Sequence, residues 1–226
     1  NCDGMAQTYF LQPKECIINV PKNIPDEVAV LTELLTVNYR AIVEAGMDKK
    51  DKVVVFGCGP TGYLLASLLH FGAKIKKENL HIVDIDDKKL DHVHGFATPI
   101  NINSETIPES YFDKAFECVG KKGSEAAIDH AIKSLKPKGI LILLGVSEEK
   151  RAVNTRLILD KGITIKGTTR STRHDFPVVL DFMKNKDFQN ALLNIIYKER
   201  FKANSKGELV KAFRKADDPK HYGKVL

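Results

Sequence analysis

A glycine-rich turn carries the strongest chemical signal in this sequence. The letters GCGPTG at 57–62 have the spacing GxGxxG, follow the apolar run VVVF, and precede a segment of helical periodicity. In such a pattern the first glycine permits a tight turn, the second lets the backbone approach a pyrophosphate, and the third lets a helix pack on a strand. The phosphates then lie at the helix N-terminus, where free N–H groups favour negative charge. The pattern predicts dinucleotide binding through Gly57, Gly59, Pro60, Thr61 and Gly62, with a purely structural turn as the alternative.

The acidic residue that such a site requires follows at the expected distance. Asp84 ends the next apolar run, LHIVDID, about 20 residues after Gly62, where a carboxylate accepts hydrogen bonds from the adenosine ribose. A carboxylate at this position repels a ribose phosphate, which slightly favours NAD over NADP as the cofactor. The alternative is that Asp84 caps the following helix, but Asp86 fits that capping role better.

The elements that position the turn are predicted from the hydrophobic pattern. Short apolar runs alternate with segments of helical period, and the runs are KVVVFG, LHIVDID, KAFECVG, GILILLGV and ITIKGTTR. The helical segments between them are GYLLASLLHFG, DKKLDHVHGF, SEAAIDHAIKSLKPKG and NTRLILDKG. This alternation predicts an α/β fold with a doubly wound Rossmann sheet of parallel strands, covered by helices on both faces.

The two ends of the chain have a different pattern. Two short strands are predicted around LQPKECIINVP within residues 1–22. Residues 23–46 have the spacing of a helix, whose apolar side is formed by Val28, Leu31, Leu35 and Ile42. After residue 175 the predicted order is helix, strand, helix and strand, in the segments PVVLDFMKN, IIYKERF, SKGELVKAFRKAD and GKVL.

Composition argues against several classes of protein. With 43% hydrophobic and 28% charged residues, the chain has the composition of an ordinary globular protein. It has no run of about 18 apolar residues and no signal-peptide pattern, so we predict a cytoplasmic protein without a membrane partner. The net charge of +6 comes from lysines scattered along the chain, which gives nucleic-acid binding little support. No CxxC pair occurs, so neither a zinc ribbon nor a disulfide framework is predicted among Cys2, Cys16, Cys58 and Cys118.

Several segments, in the same order, resemble the medium-chain dehydrogenase/reductase family, in particular its zinc-dependent alcohol and sorbitol dehydrogenases. These segments are DGMAQTYF, TELLTVNYRA, GCGPTG, FECVG, LLGV, GITIKG and the terminal AF…GKVL. Within that family, FECVGKKGSEAAID, LLGVSEEKRAVNTRLILDKGITIKGTTRS and HDF look like ribulose-5-phosphate reductases, also called ribitol-5-phosphate dehydrogenases. The resemblance implies a nicotinamide-dependent enzyme that interconverts ribulose 5-phosphate and ribitol 5-phosphate, or a related sugar or polyol. Those enzymes typically use NADPH, and Asp84 departs from that habit, so the choice between NAD and NADP stays open.

The resemblance also implies a domain division. Residues 1–35 correspond to the end of a GroES-like β catalytic domain and a connecting helix, 36–170 to the NAD(P)-binding Rossmann domain, and 171–226 to a segment that returns to the catalytic domain. In the family, a Cys, a His and a Glu in the N-terminal half hold the catalytic zinc, and this sequence does not include that half. We therefore expect a longer parent protein with bound zinc, and no catalytic residue or activity in this segment alone. Family members commonly dimerise through Rossmann edge strands, which makes GITIKG the candidate for a homodimer contact.

Two residues near the start of the chain receive roles from the resemblance. Glu33, in TELLTV, matches a carboxylate that sorbitol-dehydrogenase-like members place at or beside the zinc, where it ligates the metal or holds its water. An exposed helix carboxylate is the alternative for Glu33. Thr36 matches a position beside the nicotinamide, and its alternative is a hydroxyl bonded back to its own helix.

Four further residues receive cofactor roles in the same way. Val119 and Val146 follow the ends of two strands, at the sheet edge where ligands bind, so that their backbone groups meet the adenosine half and the carboxamide. Simple core packing is the alternative for both. Arg170 lies between the cofactor and the substrate cleft, where a guanidinium clamps either the pyrophosphate or a sugar phosphate. Lys224 matches a basic position that touches the pyrophosphate.

Other reactive side chains are assigned no chemistry. His92 and His94 diverge on a helical pattern, because helical metal ligands need a spacing of three or four residues, and we interpret them as surface or cap residues. Cys118 is interpreted as a small core residue. Arg173 and His174 are interpreted as surface charge.

Two alternatives to a zinc-dependent dehydrogenase remain at the level of sequence. One is a module that binds a dinucleotide without turnover, which needs neither Glu33 nor Arg170. The other is a zinc-free oxidoreductase similar to quinone reductases, which the Glu of TELLTV argues against.

Overall fold

The sheet that the alternating pattern predicts is present. A computed structural model describes residues 9, 11–201, 205–218 and 222–225. Within these residues, six parallel strands form one sheet in the order β3-β2-β1-β4-β5-β6. The strands are β1 Val53–Phe56, β2 Leu80–Asp84, β3 Thr98–Asn101, β4 Phe112–Glu117, β5 Leu135–Leu143 and β6 Thr164–Gly167.

Helices connect the strands and extend to both ends of the described chain. The helices that precede β5 in the chain are α1 Asp26–Ala29, α2 Thr32–Ala45, α3 Pro60–Phe71, α4 Asp87–Leu90 and α5 Ser124–Ser134. Those that follow are α6 Thr155–Lys161, α7 Asp175–Phe182, α8 Lys186–Leu193 and α9 Lys206–Ala216. In the part of the chain that the structure describes, no helix combines the length and the apolar character that crossing a membrane requires.

Strand β1 lies at the centre of the sheet and explains the position of the glycine turn. Val53 pairs with Leu80 of β2 on one side and with Lys114 of β4 on the other. The strand order reverses between β1 and β4, and the connections leave in opposite directions at that point. Ligands of doubly wound sheets bind in the crevice that opens there, beyond the carboxyl ends of the strands. The GCGPTG turn leaves β1 at this crevice.

The residues of β1 are buried alternately on the two faces of the sheet. Val53 and Val55 belong to the core under α2 and α3, whereas Val54 and Phe56 belong to the core under α5. All four are 0–2% exposed. Because both faces are covered, the strand is apolar at every position rather than at every second one.

The helix predicted over residues 23–46 is confirmed, as two pieces, α1 and α2. Its predicted apolar side is buried, with exposures of 0–6% at Val28, Leu31, Leu35 and Ile42. Gly46 ends α2 in the left-handed conformation, with φ of +58°. The domain boundary between residues 35 and 36 falls inside α2, and the segments on both sides of it share one core with α3, α7 and α8. The domain division stays a prediction.

The strands predicted at the chain ends are wrong for the described residues. Between residues 11 and 22 there is a single 3₁₀ turn, Lys14–Cys16, and no strand, while residues 1–8 and 10 lie outside the description. Near the other end, IIYKERF and GKVL form only an isolated parallel bridge between Ile196 and Lys224. The N–H and C=O groups of a strand need partners on a neighbouring strand. Near the described chain ends, the bridge between Ile196 and Lys224 is the extent of such pairing. The expected remnants of a GroES-like domain thus have no sheet of their own within the described residues.

The pattern also missed or misplaced some elements. The four-residue β3 contains Pro99, which is tolerated because β3 is an edge strand. Helix α8 was not predicted at all. The predicted helix SEAAIDHAIKSLKPKG ends at Ser134, and its last letters belong to β5, since Pro137 disfavours helix in the residue before it. The predicted helix DKKLDHVHGF is only the single turn α4 followed by a 3₁₀ turn.

Candidate cofactor-binding site

The first and third glycines of the turn are required by close packing. Gly57 has φ of +94°, and a Cβ there would lie 3.0–3.1 Å from atoms of Cys118 and Val119. A Cβ on Gly62 would lie 1.8 Å from the carbonyl oxygen of Gly57. No side chain fits at that distance, so the start of α3 can approach the end of β1 only with glycine at 62. These are the turn and packing roles that the motif predicts.

The second glycine faces open space instead. Apart from its two chain neighbours, no described residue has an atom within 4 Å of the position of a Cβ on Gly59. Gly59 is the N-cap of α3 and offers no side chain to cap it, and Pro60 occupies the first helical position. Along α3, the first backbone N–H group with an acceptor is that of Tyr63, which donates to the Gly59 carbonyl at 2.9 Å. The N–H groups of Thr61 and Gly62 have no acceptor among the described residues, which leaves two donors for an anion.

Asp84, at the end of β2, turns its carboxylate toward this turn. Its Oδ2 accepts the N–H of Cys58 at 2.6 Å, and its Oδ1 accepts the N–H groups of Ile85 at 2.8 Å and Asp86 at 3.1 Å. The Nζ of Lys89 lies 4.0 Å from Oδ1. The carboxylate side chain is only 10% exposed. Asp84 therefore braces the glycine turn while presenting one edge to the crevice.

The alternative capping role belongs to Asp86, as the sequence indicates. Its Oδ1 accepts the N–H of Lys88 at 3.0 Å at the start of α4. Because Asp86 caps α4, the Asp84 carboxylate is available to a ligand in the crevice.

A cavity of about 540 Å³ lies in the crevice, and we call it the Asp84 cleft. Its wall includes Gly57, Gly59, Asp84, Lys89, Val119 and His130. Apolar residues such as Val83, Ile102 and Ala127 line the same space. An apolar cleft with a carboxylate and backbone donors at one end suits a nucleoside with phosphates.

The two valines predicted at strand ends are exposed, so core packing is excluded for them. Val119 is 42% exposed on the wall of the Asp84 cleft, and Val146 is 74% exposed. The N–H of Lys121 donates to the Val146 carbonyl at 2.8 Å, which ties the loop after β4 to the loop after β5. Val146 lines a neighbouring cavity of about 510 Å³, the Val146 cleft, whose wall also includes Arg40, Gly145, Thr168 and Arg170.

Glu117, which sequence analysis missed, holds these two loops in place. It is 1% exposed at the end of β4, and its Oε1 accepts the N–H groups of Val119 at 2.9 Å and Gly120 at 2.8 Å. Its backbone carbonyl accepts the N–H groups of Leu144 and Gly145, each at 2.9 Å. Oε2 is buried with no partner among the described residues. The available signal was a carboxylate at the last position of an otherwise apolar strand.

The loop after β6 is fixed by a buried carboxylate. Asp175, 2% exposed, accepts the N–H of Thr172 at 2.6 Å and its hydroxyl at 3.0 Å, and pairs with Arg40 of α2. Burial disfavours the charged form, but the hydrogen bonds from Thr172 and Arg40 outweigh it and hold the pKa of Asp175 below 3.8. The loop that carries Arg170 is thus attached to α2.

Thr36 does not reach any of these cavities. It is fully buried, and its Oγ1 lies 2.6 Å from the Glu33 carbonyl oxygen and 3.0 Å from the Ser171 hydroxyl. This is the helix-bonded alternative, so the geometry gives the predicted nicotinamide contact no support. Lys224 also lines neither the Asp84 cleft nor the Val146 cleft. Its backbone pairs with the segment at Ile195, which accepts the Lys224 N–H at 2.6 Å.

Glu33 is exposed in the first turn of α2 and lines a third cavity of about 530 Å³, the Glu33 groove. The groove also contacts Cys16, Ser171, Thr172, Arg173 and Phe176. Nowhere in the described chain do three or more His, Cys, Asp or Glu side chains gather closely enough to hold a metal ion. Glu33 alone does not make a zinc site.

The remaining reactive groups agree with their sequence interpretation. Burial, with the charge of Asp84, raises the pKa of the Cys58 thiol to about 12, so this cysteine of the turn stays protonated. Burial likewise raises the pKa of Cys118. His92 stacks on Tyr222 with ring centres 5.0 Å apart and joins no metal site of the described residues.

Residues 66–185 match a family model described as zinc-binding dehydrogenase, which covers more than half of the chain. The chain belongs to this family. Zinc-binding dehydrogenases of this type are medium-chain dehydrogenases/reductases, and the six-stranded sheet is their nucleotide-binding fold.

The zinc-binding dehydrogenase chain is similar along almost its whole length to curated relatives. The ribulose-5-phosphate reductase of Bacillus spizizenii and ribulose-5-phosphate reductase 1 of Staphylococcus aureus are each 34% identical over 99% of this chain. The crystal structure of S. aureus TarJ in complex with NADPH has a TM-score of 0.85 and 34% identity, and the match covers 94% of this chain and 67% of that one. The chain spans 65% of the length of the two curated relatives.

Proposed function

We propose that this chain is the cofactor-binding part of a nicotinamide-dependent polyol dehydrogenase that interconverts ribulose 5-phosphate and ribitol 5-phosphate. The observation that carries the proposal is the open Gly59 at the uncapped start of α3, facing Asp84 across one crevice. The names of the similar ribulose-5-phosphate reductases support the substrate. In the reduction, a hydride passes from the dihydronicotinamide to the ketone carbon, and one proton passes to the ketone oxygen. We assign no catalytic proton donor to this segment.

The residues of this chain bind and orient the cofactor. The N–H groups of Thr61 and Gly62 donate to the pyrophosphate, which approaches over Gly59. Asp84 accepts hydrogen bonds from the ribose with the lone pairs left beside its three backbone donors. Val119, on the wall of the Asp84 cleft, meets the adenosine half, and Val146 and Arg170 line the Val146 cleft on the nicotinamide side.

We infer that the chain accepts NADPH as well as NADH, and that Lys89 favours NADPH. Three backbone N–H groups already compensate the charge of Asp84, which weakens its repulsion of a ribose phosphate. The amine of Lys89 lies beside it, 33% exposed, on the wall of the Asp84 cleft. The NADPH complex of TarJ supports this reading.

Replacing Lys89 with alanine tests the cofactor choice. Because a charge-assisted contact to phosphate is lost, kcat/KM for NADPH should fall about tenfold while that for NADH is unchanged. Lys88→Ala is the matched control, since Lys88 is exposed on the same short helix and does not line the cleft. Equal losses with both cofactors would contradict a contact with the ribose phosphate.

Zinc and a homodimer belong to the proposal for the intact protein. Zinc is supported by the family description, and Glu33 takes part only together with ligands from outside the described residues. The dimer is supported by the edge position of β6. Metal analysis and sedimentation of the intact protein test both, and a metal-free active monomer would reject both.

The central experiment measures oxidation of NADPH and NADH by the intact protein, with and without ribulose 5-phosphate. We expect oxidation that depends on the sugar phosphate. If cofactor binds but no ribulose 5-phosphate is reduced, the reductase proposal fails and a binding module without turnover, or a different polyol substrate, is favoured.

A further inference from the structure

Two arginines on one short loop face different cavities. Arg170 lines the Val146 cleft, whereas Arg173 lines the Glu33 groove. Neither makes a hydrogen bond or ion pair with any residue that the structure describes. The loop therefore presents one free guanidinium to each side of the site.

The loop that presents Arg173 is attached by hydrogen bonds at the two residues before it. Asp175 accepts both the N–H and the hydroxyl of Thr172, and the Ser171 hydroxyl lies 3.0 Å from that of Thr36. Both oxygens of Asp175 are engaged by Thr172 and Arg40, so Asp175 does not neutralise Arg173. A guanidinium on a fixed backbone with no internal partner is preorganised to bind an oxyanion in bidentate fashion.

The charged residues that line the Glu33 groove indicate that Arg173 would determine whether the groove binds an anion. Among the described residues that line the groove, Arg173 is the only cation, and Glu15 and Glu33 are the two anions. Without Arg173, the charged residues of the groove would both be carboxylates, which repel a phosphate. With Arg173 the groove offers one cationic subsite in addition to the Glu33 carboxylate.

We propose that Arg173 binds the terminal phosphate of the sugar-phosphate substrate in the Glu33 groove, while Arg170 serves the cofactor side. This inference rests on the proposed function and adds a specificity-determining residue to it. Arg173 discriminates phosphorylated sugars from free ones, because a neutral hydroxyl gains far less from a guanidinium than a phosphate dianion does.

The test compares ribulose 5-phosphate with unphosphorylated ribulose in the intact protein. Arg173→Ala should raise KM for ribulose 5-phosphate about 10- to 100-fold with little change in kcat, and leave kcat/KM for ribulose unchanged. Arg173→Lys should restore part of the loss, since it keeps the charge without the bidentate geometry. Arg214→Ala is the matched control, because Arg214 is also exposed and unpaired among the described residues but lies on α9, outside the groove.

The outcomes separate this inference from the proposed function. If the wild type reduces ribulose 5-phosphate and Arg173→Ala changes both substrates equally, or neither, the phosphate role of Arg173 is rejected. If the wild type neither reduces ribulose 5-phosphate nor binds ribitol 5-phosphate in calorimetry, the proposed function fails and this inference fails with it. If the wild type binds ribitol 5-phosphate and Arg173→Ala does not, the phosphate role of Arg173 is supported independently of turnover.

Discussion

Gly62→Ala should prevent stable folding, whereas Gly59→Ala should leave the fold intact and remove cofactor binding. The Cβ at residue 62 would lie 1.8 Å from a backbone oxygen that cannot move without displacing β1. We expect a loss of about 3 kcal/mol or more in the free energy of unfolding. At residue 59 the Cβ meets no described atom within 4 Å apart from its chain neighbours, so the cost is only the preference of the N-cap position for glycine over alanine, below about 1 kcal/mol.

The measurements are urea unfolding and titration with NADPH, followed by nucleotide fluorescence. Gly59→Ala should unfold near the wild-type midpoint but bind NADPH at least about tenfold more weakly, because its methyl group occupies the approach of the pyrophosphate. Gly95→Ala is the matched control, since its Cβ also meets open space and it lies outside the turn. Normal NADPH affinity in Gly59→Ala would show that the phosphates bind elsewhere.

Asp175→Ala should destabilise the protein by about 3 kcal/mol and loosen the loop that carries both free arginines. The substitution leaves the partly buried Arg40 and the Thr172 donors without their acceptor, which is the costly way to break such a pair. Asp181→Asn on the same helix is the control, because its ion pair with Lys184 is exposed and worth little. Urea midpoints of both variants measure the difference.

The pH dependence of that difference follows from the lowered pKa of Asp175. In the unfolded chain the carboxyl binds a proton near pH 3.8, and in the folded protein only at lower pH. Between these values the unfolded state holds more protons, so stability falls as the pH falls. The difference in free energy of unfolding between wild type and Asp175→Ala should be full above about pH 5 and shrink below pH 3.8. A gap that stays constant down to pH 3 would contradict a charged Asp175.

Sequence predicted the glycine turn well because its determinants are local. A strand buried on both faces, three glycines and the N-terminus of α3 all lie within residues 53–71, and each has a steric role that neighbouring residues decide. Asp84 followed from a fixed distance along the chain. The hydrogen bond that it accepts from the Cys58 N–H could not be predicted, because it depends on how the turn and the end of β2 meet in space.

Sequence failed where pairing partners are distant along the chain, or where no partner is present among the described residues. The backbone carbonyl of Glu117 accepts the N–H groups of Leu144 and Gly145, more than 25 positions later, and no local pattern encodes that contact. The short apolar segments at Ile17 and Ile196 suggested strands, but an apolar segment becomes a strand only where another strand is available to pair with it. Thr36 had one local interpretation, the bond to the Glu33 carbonyl of its own helix, and its contact with the distant Ser171 could not be predicted from the sequence.

Glu117 also connects the loops that line the two clefts. Its side chain holds the loop beside the Asp84 cleft and its carbonyl holds the loop beside the Val146 cleft, so a shift of either loop is transmitted to the other through one residue. Under the proposed binding mode, occupancy of the adenosine half and of the nicotinamide half are linked equilibria, and each raises the affinity of the other by the same factor. Adenosine diphosphate and nicotinamide mononucleotide, as separate fragments, would then bind cooperatively rather than independently.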